Sequence, residues 1–470
     1  MAFEQITNLK SYKKIKSAGN IESTQIKFEI DNLKTILAAY TSANVSRFEV
    51  DGEKATIFAG SKTTIVFVDS ENKIASTEKF SEFSFLTAAP SALVSFELVE
   101  KETTIEKIDA NQFVATAKFD VVTSATIQTD FSAVKPGTEK MIEKTKTIKL
   151  QNISATCQDK FVVTDESEIT ATSILSSEAQ CVITSTTAIE DAIVVDGELF
   201  VSVVSEIDGN IKQTFRKIDF SGEVVALGLK KDNLVDAKAF VDSFDVTLSS
   251  AGANATLNIT ASIGISALCF GKSEIAVVED AFSEQNELVV SSQGVDICSL
   301  SKSYYACQNG GTVLQTKDKN VNMGTILAVV SPKLEKGILT CTVIYREAET
   351  DEISSIIMFA NVDVDSEFAG IAIKSFAKKR AKEVMVEYEI FSQTTEQNEN
   401  YEVFASAIEE GGLLEENNKG IIVYCAKKGD DLFAVAKALK ANPEVLKAQN
   451  ANLDNLVEAD RKIIFYRSCI

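Results

Sequence analysis

Along most of this chain, apolar residues either alternate with polar ones or gather in short runs bounded by Asp, Asn and Gly. Few windows show the 3.6-residue period of a helix. After Gly60, an apolar run at 64–68 leads into the polar segment 69–73 and a second run that ends at Phe83. The layout recurs after Gly197, with a run at 199–204, a turn at 206–210 and Phe220. It recurs again after Gly337, with 339–345, 347–352 and Phe359. Gly60 and Gly197 are 137 residues apart, as are Phe83 and Phe220; the third copy follows at offsets of 140 and 139. Each copy predicts a β-hairpin, its reversal marked by residues that tolerate a turn. Further apolar runs at 113–122, 244–248 and 257–265 add strands. The pattern therefore predicts a mainly β protein with three β-sandwich or barrel-like repeats, at 1–145, 146–288 and 289–410.

The pattern changes after a polar, Gly-bounded stretch at 411–419, which is expected to be a linker. An apolar run at 421–425 predicts a strand. Leu432, Val435, Ala436 and Leu439 then recur at helical spacing, with Asp430 or Asp431 placed to cap the N-terminus. Asn442 and Pro443 open a second predicted helix that runs to about Gln449. A loop at 450–455 and a strand at 463–466 complete a small βααβ module at 420–470.

Composition restricts the chemistry. The 470 residues include no His and no Trp. Without His there is no ordinary proton-transfer group near pH 7, no His-containing triad and no His-ligated metal site. The eight cysteines form no CxxC pair, so neither a zinc site nor a Cys–His nucleophile is expected. Residues 59–64 lack the adjacent Gly-Lys and the following helix of a phosphate-binding loop. Glu415 and Glu416 in the linker are too exposed for a glycosidase pair. The expectation is a chain without catalytic residues, metal or cofactor.

A formal charge of −21 argues against a nucleic-acid partner. The charge is uneven: from Asn418 onward nine Lys and Arg stand against six Asp and Glu, a net of +3, which leaves −24 for the rest. The basic cluster Lys374, Lys378, Lys379, Arg380 and Lys382 reads as a solvated face. No apolar leader opens the chain and no apolar run approaches the roughly 18 residues of a membrane span. No transmembrane segment is expected, and the expected compartment is the cytoplasm, with reduced thiols. Cys425 ends one predicted strand and Cys469 follows the end of its expected neighbour, and a disulfide between them requires an oxidising compartment.

In the second copy, Val195-Asp196-Gly197 and Ile218-Asp219-Phe220-Ser221, followed by Asp280-Ala281-Phe282-Ser283 and Glu287-Leu288, resemble the SPOCS domain of endospore-forming bacteria. The other copies keep the Gly and Phe landmarks, with Phe131-Ser132 and Phe391-Ser392 set against Phe282-Ser283. This resemblance implies a structural or interaction module of the spore coat, with no active site.

At the C-terminus, Tyr424, Lys427, Gly429, Asp430, Leu432, Val435 and Ala436, then Asn450, Asn452 and Leu453, resemble a LysM domain. That resemblance implies binding of N-acetylglucosamine polymers such as peptidoglycan in a groove between two loops. Carried over by position, the candidate contacts are Gly429, Asp430, Asp431, Leu432 and Phe433, facing Asn450, Ala451, Asn452 and Leu453. Asp431 stands where the family has Thr or Ser, and Ala451 where it has Pro. The ligand is therefore left open between glycan and protein, with Asp431 also a helix cap and Phe433 also a core residue.

The whole arrangement resembles the SipL-type spore-coat morphogenetic proteins of clostridia. It implies a scaffold on the mother-cell side of the forespore surface that tethers spore coat or morphogenetic proteins. The alternatives are a peptidoglycan-binding envelope protein and a β-domain protein that self-associates.

Overall fold

The structure is a computed structural model that describes residues 3–138, 141–250, 252–318, 321–363, 370–380, 383–414 and 420–467. Lys382, Glu415, Glu416 and Cys469 lie outside the described residues, as do the side chains of Lys374, Lys378, Lys379 and Arg380. The architecture is mainly β, in agreement with the strand-rich sequence pattern.

The first set of strands is β1 (Gln5–Glu29), β2 (Leu33–Asp51), β3 (Lys54–Asp69), β4 (Ile74–Ala88), β5 (Val94–Lys107) and β6 (Gln112–Val134). The second is β7 (Ile142–Ala171), β8 (Ser173–Ile189), β9 (Ala192–Ile207), β10 (Asn210–Val225), β11 (Leu234–Leu248) and β12 (Gly252–Phe282). The third is β13 (Asn286–Leu314), β14 (Met323–Glu335), β15 (Ile338–Glu347), β16 (Ile353–Asn361), β17 (Gly370–Arg380) and β18 (Glu383–Leu413).

Each set pairs in the same way. The first, last and fifth strands form β1-β6-β5, β7-β12-β11 and β13-β18-β17; the second to fourth form β2-β3-β4, β8-β9-β10 and β14-β15-β16. The two sheets of a set face each other across an apolar core. In the second set, Ile193, Val195, Leu199, Val201 and Val203 of β9 pack with Leu257, Ile259, Ala261, Ile263 and Ile265 of β12. One side of each sandwich is closed by contact of β2 with β5, β8 with β11 and β14 with β17.

The hairpins expected around Gly60, Gly197 and Gly337 are β3–β4, β9–β10 and β15–β16. Their glycines do different work. Gly197 pairs with Phe220, and a Cβ there would lie 2.2 Å from the Phe220 ring and 2.5 Å from the Val182 carbonyl oxygen. Gly60 has open space where a Cβ would go.

The first and last strands outrun the sandwiches. Beyond Phe270, β12 pairs only with β7, down to Phe282 opposite Ile142. The ribbons β1–β6, β7–β12 and β13–β18 then pack on one another. Leu9, Phe131, Ile148, Val277, Val295 and Phe404 share one buried cluster that draws on all three sets. The sets also close on one another cyclically, with β4 against β8, β10 against β14 and β16 against β2.

At the centre of that closure each set contributes the same irregularity. A register shift leaves one extra residue in the second strand, and that residue is Leu37, Leu175 or Leu327. The next residues pair equivalently, Ala38 with Val66, Ser176 with Val204 and Ala328 with Ile344. A bulge bends a strand and re-aims a side chain. Here it delivers three leucines, 3%, 4% and 7% exposed, to one apolar cluster with Ile74, Ile211 and Ile353 at its margin.

Pairing shifts some sequence-based limits. Residue 145 lies within β7 and residue 288 within β13; β6 ends at Val134 and β7 begins at Ile142, with Gly137 at φ +107°, and β12 and β13 are separated by 283–285. Gly411 to Leu413 belong to β18, with Leu413 opposite Asn286, so the expected linker begins as paired strand. Phe282 ends β12, whereas Phe391 sits mid-strand opposite Cys307, so those two Phe-Ser pairs are not structural equivalents.

Candidate functional site

The C-terminal module follows the expected order: β19 (Gly420–Ala426), α1 (Leu432–Leu439), α2 (Pro443–Gln449) and β20 (Arg461–Arg467), with the two strands antiparallel. Its core is Leu432, Val435, Ala436, Leu439, Leu446, Leu453, Ile463 and Phe465. Helices this short are marginal alone and depend on such packing and on caps. Asp431 is the cap of α1, its carboxylate accepting the Phe433 N–H at 2.9 Å; Asn442 caps α2 by accepting the Glu444 N–H at 2.9 Å.

The two loops that hold the sequence-based candidates are laced together by their backbones. Gly429 N–H donates to the Val457 carbonyl at 2.8 Å, Leu432 N–H to Asn455 at 3.0 Å, and Val457 N–H to Asp430 at 3.0 Å. Gly429 has φ +92°, a conformation that glycine adopts without strain. The Asp430 carboxylate accepts the Lys427 N–H at 2.8 Å and so folds the first loop on itself.

Leu432 and Leu453 point into the core, 3% and 5% exposed. Asn450 is buried too: its amide donates to the Leu446 and Ile464 carbonyls and accepts the Ile464 N–H at 2.8 Å, tying α2 to β20. Ala451 and Asn452 present their carbonyls to Arg461, at 2.9 and 2.7 Å.

An open groove of about 760 Å³ lies between these loops, lined by Lys428, Gly429, Lys447, Asp454, Asn455, Leu456, Val457 and Glu458. Of the nine candidates only Gly429 lines it. The second wall is built four to five residues further along than the motif positions, by a stretch whose pairing with the first loop is not visible in residue types. Leu456, 62% exposed, is the apolar surface this groove offers a ligand.

Asp431 and Phe433 face elsewhere, towards the end of the second strand ribbon. The Asp431 carboxylate meets the Lys144 ammonium at 2.8 Å. Partial burial opposes its charge, but Lys144 and the Phe433 N–H outweigh that and hold it below the usual carboxylate range. Phe433 stacks edge-on with Phe282, ring centroids 5.4 Å apart, and Phe282 is fully buried against the module. Lys437 donates to both oxygens of Asp280, at 2.6 and 2.7 Å, and the Asn442 N–H donates to Glu284 at 2.8 Å. The Asp280-Ala281-Phe282-Ser283-Glu284 stretch, singled out in the sequence as a family landmark, is thus the seat of the C-terminal module.

Sequence reasoning missed both this seat and the bulged leucines. For the leucines a signal existed: Ile36-Leu37-Ala38, Ile174-Leu175-Ser176 and Ile326-Leu327-Ala328 are nearly the same tripeptide.

Among the described residues no helix is long and apolar enough to cross a membrane. No curated protein matches the chain, and no solved structure does. A family model described as SipL, SPOCS domain matches residues 170–249, from the end of β7 through β11. The match covers 80 of the 470 residues, all of them in the second set of strands.

Proposed function

We propose that the protein is a non-enzymatic scaffold of spore-coat assembly, made of three SPOCS-like domains and a LysM-type module. The observation that carries this is the SPOCS match on the second set, together with the recurrence of that set's strand pairing before and after it. Three similar domains on one chain offer several related surfaces, which raises avidity by effective concentration without strong single contacts. The mainly acidic body and the mildly basic module favour partners of opposite charge at each end. The site of action under this reading is the mother-cell cytoplasm, at the forespore surface.

The test is genetic and microscopic. In a sporulating host, the tagged full-length protein is expected to gather at the forespore surface, and its deletion to yield spores with missing or detached coat. Diffuse protein together with normally coated spores overturns the proposal.

A second reading, peptidoglycan binding by the module, is favoured by the groove between its loops. Its test is co-sedimentation of the full-length protein with purified peptidoglycan. Retention that falls at least fivefold in Lys447→Ala and Leu456→Ala supports it; equal sedimentation of wild type and variants, or none, rejects it.

A further inference from the structure

The outer face of the C-terminal sheet has a composition that its fold does not require. β19 and β20 turn Ile422, Tyr424, Ile463 and Phe465 towards the helices, so the opposite face is expected to be polar. Instead Ile421, Val423 and Tyr466 stand there 65%, 52% and 51% exposed, with Ile421 paired to Tyr466. Among the described residues, the ion pairs, ring contact and hydrogen bonds given above between body and module reach Asp431, Phe433, Lys437 and Asn442, all on the helical side.

The two edges of this sheet also differ. On β20, the Gln449 side chain bonds the Tyr466 N–H and carbonyl, and Asn450 does the same for Ile464. Those side-chain amides occupy the backbone groups that a further strand would need. On β19, no described strand pairs beyond β20, so alternate N–H and carbonyl groups face outward.

We propose that β19 receives an extended acidic segment of a partner protein as an added strand, its apolar side chains seated on Ile421 and Val423. A second copy of this chain fits poorly. A patch of a few side chains falls far short of the ~800 Å² per partner of a stable protein interface, and two such modules are both net basic. An added strand needs less apolar area because backbone hydrogen bonds supply affinity. Exposed Lys427 follows β19 and exposed Lys462 lies opposite Cys425, so carboxylates are the matching charges. The proposal rests on the reading of the module as a protein-binding element, but not on the groove, which occupies other residues.

The experiment is a fluorescence-anisotropy titration of the full-length protein with a labelled nine-residue peptide that alternates valine and glutamate. Saturable binding is expected, at least tenfold weaker for Val423→Glu and Ile421→Glu. Both positions are exposed, and unchanged thermal unfolding confirms that the variants are folded. A peptide with lysine in place of glutamate is expected not to bind. No saturable binding by the wild type, equal affinity for the two peptides, or a dimer in light scattering that Val423→Glu dissociates each overturns the proposal. Forespore localisation of the same variants separates the two claims: a failed titration with normal localisation of the wild type discards strand addition and leaves the scaffold standing.

Discussion

The joints within the body and the joint that holds the C-terminal module are made of different materials. Where the three sets meet, Leu37, Val66, Leu175, Val204, Leu327 and Ile344 form a closed apolar cluster. Buried polar contacts finish it: Gln213 donates to the Val329 carbonyl and accepts the Val329 N–H, at 2.8 and 2.9 Å. The module is held by a single buried side chain, Phe282, by the Asn442–Glu284 hydrogen bond and by ion pairs that remain about a third exposed, Lys437–Asp280 and Lys144–Asp431. Apolar burial is nearly insensitive to salt, whereas exposed ion pairs are screened and contribute little. The body is therefore built to stay closed, and the module to loosen first.

The largest expected effect breaks the body's side of that comparison. Leu175→Ala removes a plug residue from a site that cannot collapse easily, with an expected loss of about 2–5 kcal/mol. Chemical denaturation should show the whole body unfolding earlier. If one plug serves all three sets, Leu175→Ala and Leu327→Ala combined cost other than the sum of the singles. Strict additivity, with small single effects, sinks the shared plug.

A smaller effect separates two hairpins that look alike in sequence. Gly197→Ala drives a methyl into the Phe220 ring and the Val182 carbonyl, an overpacking cost of about 1–3 kcal/mol. Gly60→Ala meets nothing and is expected within about 0.5 kcal/mol of wild type. Equal effects in thermal unfolding would show that the two glycines do the same job after all.

That contrast marks how far the sequence could be read. Strand content, the three hairpins and the βααβ order follow from period and turn residues, because these are local properties. Asp431 as a cap was legible for the same reason. The function of Gly197 was not, since it depends on which ring the opposite strand lays over it. The same holds for the groove. Its second wall, Asp454 to Glu458, is set by loop-to-loop bonds such as Gly429 to Val457, and no residue type announces those. Phe391 misled for a related reason: a Phe-Ser pair carries no information about its distance from the strand end.

The next effect is a slope with pH. Glu178 lies at the meeting of the sets, only partly open to solvent and densely surrounded. Burial pushes its carboxyl up to about 7, with Glu100 adding to the rise, while the Ser331 N–H at 2.9 Å and Lys333 oppose it. The folded state thus holds this proton more tightly than the unfolded chain, whose group titrates near 4.5. Its contribution to stability is then greatest below about 4.5, is lost as pH rises through about 7 and is flat above. Glu178→Gln should flatten that part of the stability–pH curve and make the protein relatively more stable at pH 8. An unchanged slope in the variant removes Glu178 as its source.

The smallest expected effect concerns the module. Lys437→Ala removes both hydrogen bonds to Asp280 but leaves Phe282 seated, and a partly exposed ion pair is worth about 1 kcal/mol or less. That is too little to move global unfolding, yet it is up to about fivefold in a local opening equilibrium. Hydrogen exchange should therefore quicken for the backbone amides of α1 and for Asn442, while β9 and β12 in the body stay unchanged. Raising the salt concentration should produce the same pattern in the wild type and a smaller further change in the variant, which keeps Lys144–Asp431. If exchange quickened in β9 as well, module and body would open as one unit, and the division between a closed body and a loosely seated module would fail.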